Sequence, residues 1–170
     1  GGLTKTGAGT LILANSNTYS GSTTVSAGTL RLSTVGTLAS AVQNNASFVN
    51  EGIIAGAVTN SGTLNSTGSL NGGLTNNAGA TASLAGLVNG AVTNAGAITL
   101  TGTTTGIGAL NQASTGTLNL NGFASTIGSL AGAGTIQLGS SVITVGGNNA
   151  STSFTGVMSG LGGINKTGTG

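Results

Sequence analysis

Histidine, cysteine, aspartate, proline and tryptophan are absent from this 170-residue chain, and the only acidic residue is Glu51. Without histidine, aspartate or cysteine, no Ser-His-Asp, Cys-His or zinc constellation can be assembled, and calcium-binding nonapeptide repeats would need aspartate. One carboxylate cannot supply the pair that glycoside hydrolysis uses, or the acidic metal ligands of polysaccharide lyases. The reading is therefore of a non-enzymatic segment with no catalytic residue, no metal ligand, no cofactor and no small-molecule substrate. Charge is equally scarce. Lys5, Arg31 and Lys166 give a net charge of +2 scattered over the whole length, whereas nucleic-acid binding needs clustered cations, so no nucleic-acid partner is expected. No run of eighteen apolar residues is long enough for a membrane-spanning helix, and the aromatic girdles of a membrane barrel are missing. The lack of cysteine fits a cytosolic protein or a surface protein exported without disulfides. No signal peptide is visible, and Gly1 falls inside a repeat unit, so the chain reads as an internal excerpt of a longer protein.

What remains is small, polar and β-forming. Leu, Ile, Val and Phe make up about 24 % of the residues, above the roughly 20 % below which disorder is expected. The chain can build a core, but a narrow one. Frequent Thr, Val and Gly, with almost no Glu, Lys or Arg, disfavour helix, and no window carries a sustained i, i+3, i+4, i+7 stripe. The 34 glycines and the many Asn and Ser supply corners, since both Gly and Asn enter the left-handed region. The absence of proline spares every ladder donor.

A short pattern returns roughly every eighteen residues: a small pivot, a Thr-like residue, then an apolar–x–apolar core. Its pivots are Gly9, Gly28, Ala46, Gly62, Gly79, Gly96, Gly116, Gly134, Thr152 and Gly170. Thr10-Leu11-Ile12-Leu13, Thr29-Leu30-Arg31-Leu32, Thr117-Leu118-Asn119-Leu120 and Thr135-Ile136-Gln137-Leu138 place apolar side chains two apart, on one face of a strand. Ala57-Val58-Thr59-Asn60 recurs letter for letter at Ala91-Val92-Thr93-Asn94. Phe48 stands in for the apolar residue after Ala46. Gly79-Ala80-Thr81-Ala82 offers only alanines, so that rung is expected to pack thinly. A repeat this short matches one coil of a stacked β architecture. The expected fold is all-β: a right-handed parallel β-helix (solenoid) of about nine rungs, one continuous segment over residues 1–170. Apolar side chains of successive windings are expected to pile into one column beneath an exterior of hydroxyls and amides.

Two stretches carry a family resemblance. Gly2-Leu3-Thr4-Lys5-Thr6-Gly7-Ala8-Gly9-Thr10-Leu11-Ile12-Leu13, followed by Asn17-Thr18-Tyr19-Ser20-Gly21 and Thr24-Val25-Ser26-Ala27-Gly28-Thr29-Leu30, resembles the autotransporter-associated β-strand repeat of Gram-negative type V secretion passenger domains. Gly146-Gly147-Asn148-Asn149 through Gly170 is similar to the segment that leads into a further copy, and the last nine residues echo the first nine. The resemblance implies a β-helical stalk on the bacterial cell surface, exported through an outer-membrane translocator barrel carried outside this segment. It also implies tandem copies in the parent.

Several expectations follow for the surface. Nine intervals at about 4.8 Å make a rod on the order of 45 Å long. Its polar Thr, Ser and Asn face suits a structural stalk or an adhesin segment that associates with itself or with a host or biofilm surface through many weak contacts. A self-assembling extracellular fibre of stacked units is the alternative, because unpaired end rungs invite end-to-end stacking. Ice binding by Thr arrays is a minor alternative: Thr4-x-Thr6, Thr99-x-Thr101, Thr103-x-Thr105, Thr115-x-Thr117 and Thr167-x-Thr169 have the spacing, but they drift against the pivots. Lys5 and Lys166, at equivalent repeat positions, are read as solvated residues at strand edges. Tyr19 is expected to cover a neighbouring rung with its hydroxyl on a backbone partner, and Arg31 to pair with Glu51 across rungs.

Overall fold

The computed structural model describes residues 1–170, which form strands, turns and no helix. The chain winds as a β-solenoid of about nine coils and all pairing between strands is parallel. Stacked strands build one sheet of ten strands, one of nine and a short one of four. In the first coils the chain visits them in turn. Leu3–Lys5 and Thr23–Val25 lie in the first sheet, Thr10–Leu13 and Thr29–Leu32 in the second, and Ser16–Asn17 and Thr37–Leu38 in the third. The third sheet ends at Ser69–Leu70, which is continued only by a bridge from Leu70 to Val88. From there the first-sheet strands lengthen, Thr104–Gln112 to nine residues and Ser125–Gly132 to eight, and take over that side of the rod. The final strands, Val142–Val145 and Gly163–Lys166, stack on the leading half of Ser125–Gly132.

The period-2 pattern of the second-sheet strands explains the core. In Thr29–Leu32 the leucines point inward and are fully buried, while Arg31 faces solvent. Pairing then superimposes Leu30, Phe48, Leu64, Ala82, Ile98, Leu118 and Ile136 as one interior column. Val42, Val58, Leu74, Val92, Leu110 and Leu130 form a second column under the first sheet. Leu38, Ile54 and Leu70 form a third. All belong to one cluster of 27 buried apolar residues, each large one contributing roughly 1.5–3 kcal/mol of transfer free energy. The single column expected from sequence is thus several, with at least one in each sheet.

The register departs from the sequence reading in two coils. Thr63 pairs with Thr81, which makes Ala80 the pivot in place of Gly79. That coil is not thin: Leu74 and Leu84 are buried beside Ala80 and Ala82. The later pivot is Gly156, because Thr135 pairs with Val157, whereas Thr152 sits in the first-sheet side of the coil and donates its hydroxyl to the Leu130 carbonyl at 2.6 Å. Corners follow the expected chemistry. Asn15, Asn121 and Asn149 adopt positive φ of 64°, 49° and 60°. Gly28 combines a φ of +67° with the main chain of Gly7, Ala8 and Gly9 lying where a Cβ would stand, so any side chain there meets backbone that cannot swing aside.

Candidate functional site

Sequence reasoning placed Asn with the corners and the exterior, but the structure buries a row of amides. Asn44, Asn60, Asn76, Asn94 and Gln112 occupy successive rungs of one inward column of the first sheet, all 0 % exposed. Each Nδ2 donates to the side-chain carbonyl of the next rung: Asn44 to Asn60 at 2.7 Å, Asn60 to Asn76 at 2.8 Å, Asn76 to Asn94 at 2.9 Å and Asn94 to Gln112 Oε1 at 2.8 Å. The second hydrogen of each amide goes to a second-sheet main-chain carbonyl, of Thr63, Thr81, Ala97 and Thr117 respectively. A buried polar group is tolerated only when so paired, and amides aligned head to tail polarise one another. The signal was present in the sequence as an apolar–x–Asn triplet, Val42-Gln43-Asn44, Val58-Thr59-Asn60, Leu74-Thr75-Asn76 and Val92-Thr93-Asn94, whose spacing of two puts Asn on the same face as the core residue.

Lys5 overturns a second expectation. It is only 7 % exposed, in the column that continues through Val25 to Asn44. Its Nζ donates to the carbonyls of Thr6, Gly7 and Ala27 at 2.9, 2.7 and 3.1 Å. The ammonium thus turns inward and closes the corner, as the amides do in later rungs, because three carbonyls replace its water. Lys166 repeats the local arrangement, donating to Thr167 and Gly168 at 2.7 and 3.2 Å. It remains exposed and lies in another column, over Val145 and Ile127. Lys5→Met should release the first coil, at a cost on the order of 2 kcal/mol. Amide exchange would rise at Thr23–Val25 and stay unchanged at Leu74–Asn76.

Outside, the long sheets show uncharged polar columns. Thr10, Thr29, Ser47, Thr63 and Thr81 follow one another along the second sheet, then Ala97, Thr117 and Thr135. Thr4, Thr24, Gln43, Thr59, Thr75, Thr93 and Asn111 do so along the first. The Thr-x-Thr pairs are divided among different columns: Thr4 is on the first sheet, Thr117 in the outer column of the second just named, and Thr99 in a further outer column of the second, beside Asn119, that also carries Ile12, Arg31 and Val49. Arg31 pairs with Glu51 as expected, with Nη2–Oε2 at 2.8 Å and Nε–Oε2 at 3.2 Å. Tyr19 packs against the core, but its hydroxyl meets Thr23 Oγ1 at 2.6 Å, not a backbone group, and Thr23 continues to Ser40 Oγ at 3.2 Å. A hollow of about 320 Å³ is lined by residues that include Gly106, Thr126, Gly128, Thr144 and Thr167, with no titratable side chain among them. No three His, Cys, Asp or Glu residues come together anywhere.

The architecture is that of a passenger-like structural segment: a rod whose interior is spent on stacking and whose chemistry lies on its outer faces. Residues 3–32, the first two coils as far as Leu32, match the passenger-associated-transport-repeat. That repeat implies a secreted or surface-exposed segment. No curated protein and no solved structure matches the chain.

Proposed function

We propose that this segment is a non-catalytic stalk of a bacterial surface protein of the autotransporter type, and that its outer faces make it adhesive toward further copies of itself. The outer-membrane barrel of that system lies outside residues 1–170. The observation that carries the reading is the pair of hydroxyl and amide columns repeating at coil spacing. Each hydroxyl both donates and accepts, so a column complements an identical column in a way a charged surface cannot. The partner must share the repeat of about 4.8 Å if every rung is to be matched, and a second copy does. Charge does not oppose approach, since the second-sheet face carries only the Arg31–Glu51 pair, which neutralises itself.

Nine strands about 4.8 Å apart, each showing roughly 13 Å of width, give a face of about 550 Å² per partner. The total is near the 1,000 Å² at which specific interfaces begin, so one pair of segments binds weakly and adhesion arises from many in parallel. Beads coated densely with the chain are expected to clump, and Thr63→Lys with Thr81→Lys, which set like charges on the outer column, should abolish clumping with the far-UV circular dichroism unchanged. Clumping that survives the double substitution removes the second-sheet face from the proposal. End-to-end filaments of the free chain would favour a fibre subunit instead.

A further inference from the structure

Hydrogen bonds from side chains to the main chain of another coil have a direction, which points to later coils in the first half of the rod and to earlier coils in the second. Up to Asn94, every such donor reaches a later coil: Lys5 to Ala27, Asn44 to Thr63, Asn60 to Thr81, Asn76 to Ala97 and Asn94 to Thr117, with Asn17 and Asn50 in the same sense. From Thr115 on, every one reaches an earlier coil. Asn121 donates to Leu100 at 3.1 Å, Ser125 to Thr104 at 3.1 Å, Thr152 to Leu130 at 2.6 Å and Thr167 to Val145 at 3.3 Å. Thr115 and Thr155 do the same. Asn148 reaches across two coils to Gly108, at 3.3 Å. The two senses overlap in one strand, Thr104–Gln112, whose first residue donates back to Leu84 and whose last donates forward to Thr135. That strand is the longest in the molecule, and Ser125–Gly132 beside it is the next.

From this polarity we infer that the coils between Thr81 and Thr135 are the seed of the fold, and that the remaining coils are added to it outward in both directions. A donor buried without its acceptor is costly, whereas a main-chain carbonyl already engaged in a ladder loses little when its second lone pair waits. Growth outward from the middle brings each new coil's donors onto carbonyls already fixed in place. Growth from the N-terminal end would bury Lys5 and the ladder amides before their acceptors arrived, and growth from the C-terminal end would bury Ser125 and Thr104 before theirs. The consequence for an exported chain is a delay in the N-terminal coils, whose buried donors, Lys5 and the ladder amides, lack their acceptors until the following coils have emerged.

Pulsed hydrogen exchange with mass spectrometry during refolding of the full chain from denaturant tests this without any substitution. Peptides within Thr81–Thr135 should gain protection several-fold faster than Leu3–Asn50 and Val142–Lys166. Protection that begins at either end, or that rises everywhere at one rate, overturns the inference. A second measurement separates a seed from mere central stability. Gln112→Leu should slow refolding, while Lys5→Met should raise only the rate of unfolding. Equal effects of the two on the refolding rate would also overturn it.

Discussion

Asn76→Asp is expected to lower the unfolding free energy by about 3–5 kcal/mol at neutral pH, since it leaves a buried charge uncompensated. The oxygen that replaces Nδ2 points at two acceptors, Asn94 Oδ1 and the Ala97 carbonyl, where the native amide donates to both. Only the bond from Asn60 survives. Burial and these facing acceptors favour the protonated acid in the folded state, so its pKa there lies above the unfolded value of about 3.9. The folded variant then binds more protons than the unfolded one, and its deficit shrinks as pH falls through the folded pKa toward the unfolded one. Urea unfolding followed by circular dichroism at pH 7 and pH 3.5 would show this as partial recovery. Asn76→Leu provides the comparison: it loses these partners and the bond from Asn60 as well, without a charge, and its deficit should not recover on acidification. Equal deficits for the two variants at both pH values would show that the buried charge does not set the cost.

Phe48→Ala should be comparably damaging, at about 3–5 kcal/mol, because a large side chain would be deleted from a fully enclosed site. Phe48 is the largest fully buried residue and sits in the column between Leu30 and Leu64, so coils above and below hold the space open. Phe48→Leu restores the residue type of its neighbours and should cost less than about 1.5 kcal/mol. The difference between the two urea midpoints checks the prediction. A Phe48→Ala variant within about 1 kcal/mol of the parent would mean that the coils collapse into the gap.

The strand cores were readable in the sequence because Thr-Leu-x-Leu alternates with a period of two and recurs at nearly constant intervals, and pairing needs little more. Arg31 and Glu51 were readable too, being the only opposite charges about one coil apart. Where pivots were ambiguous, as between Gly79 and Ala80, composition could not decide, because both are small and only the pairing of Thr63 with Thr81 fixes the register. The amides were misplaced for a physical reason. Asn alone prefers turns and water, and its burial becomes favourable only when an identical residue waits one coil away, a condition visible in the stack and not in any single window. The same holds for Lys5, whose solvation is replaced by three carbonyls, one of them 22 residues distant.

Ladder neighbours keep nearly the same contact distance although the chain between them varies, from 16 residues between Asn44 and Asn60 to 18 between Asn76 and Asn94. The slack is taken up at the bends. Such a scaffold can gain or shed short loops there without retooling its interior. It also makes the rod a natural carrier on which foreign peptides could be grafted at measured intervals.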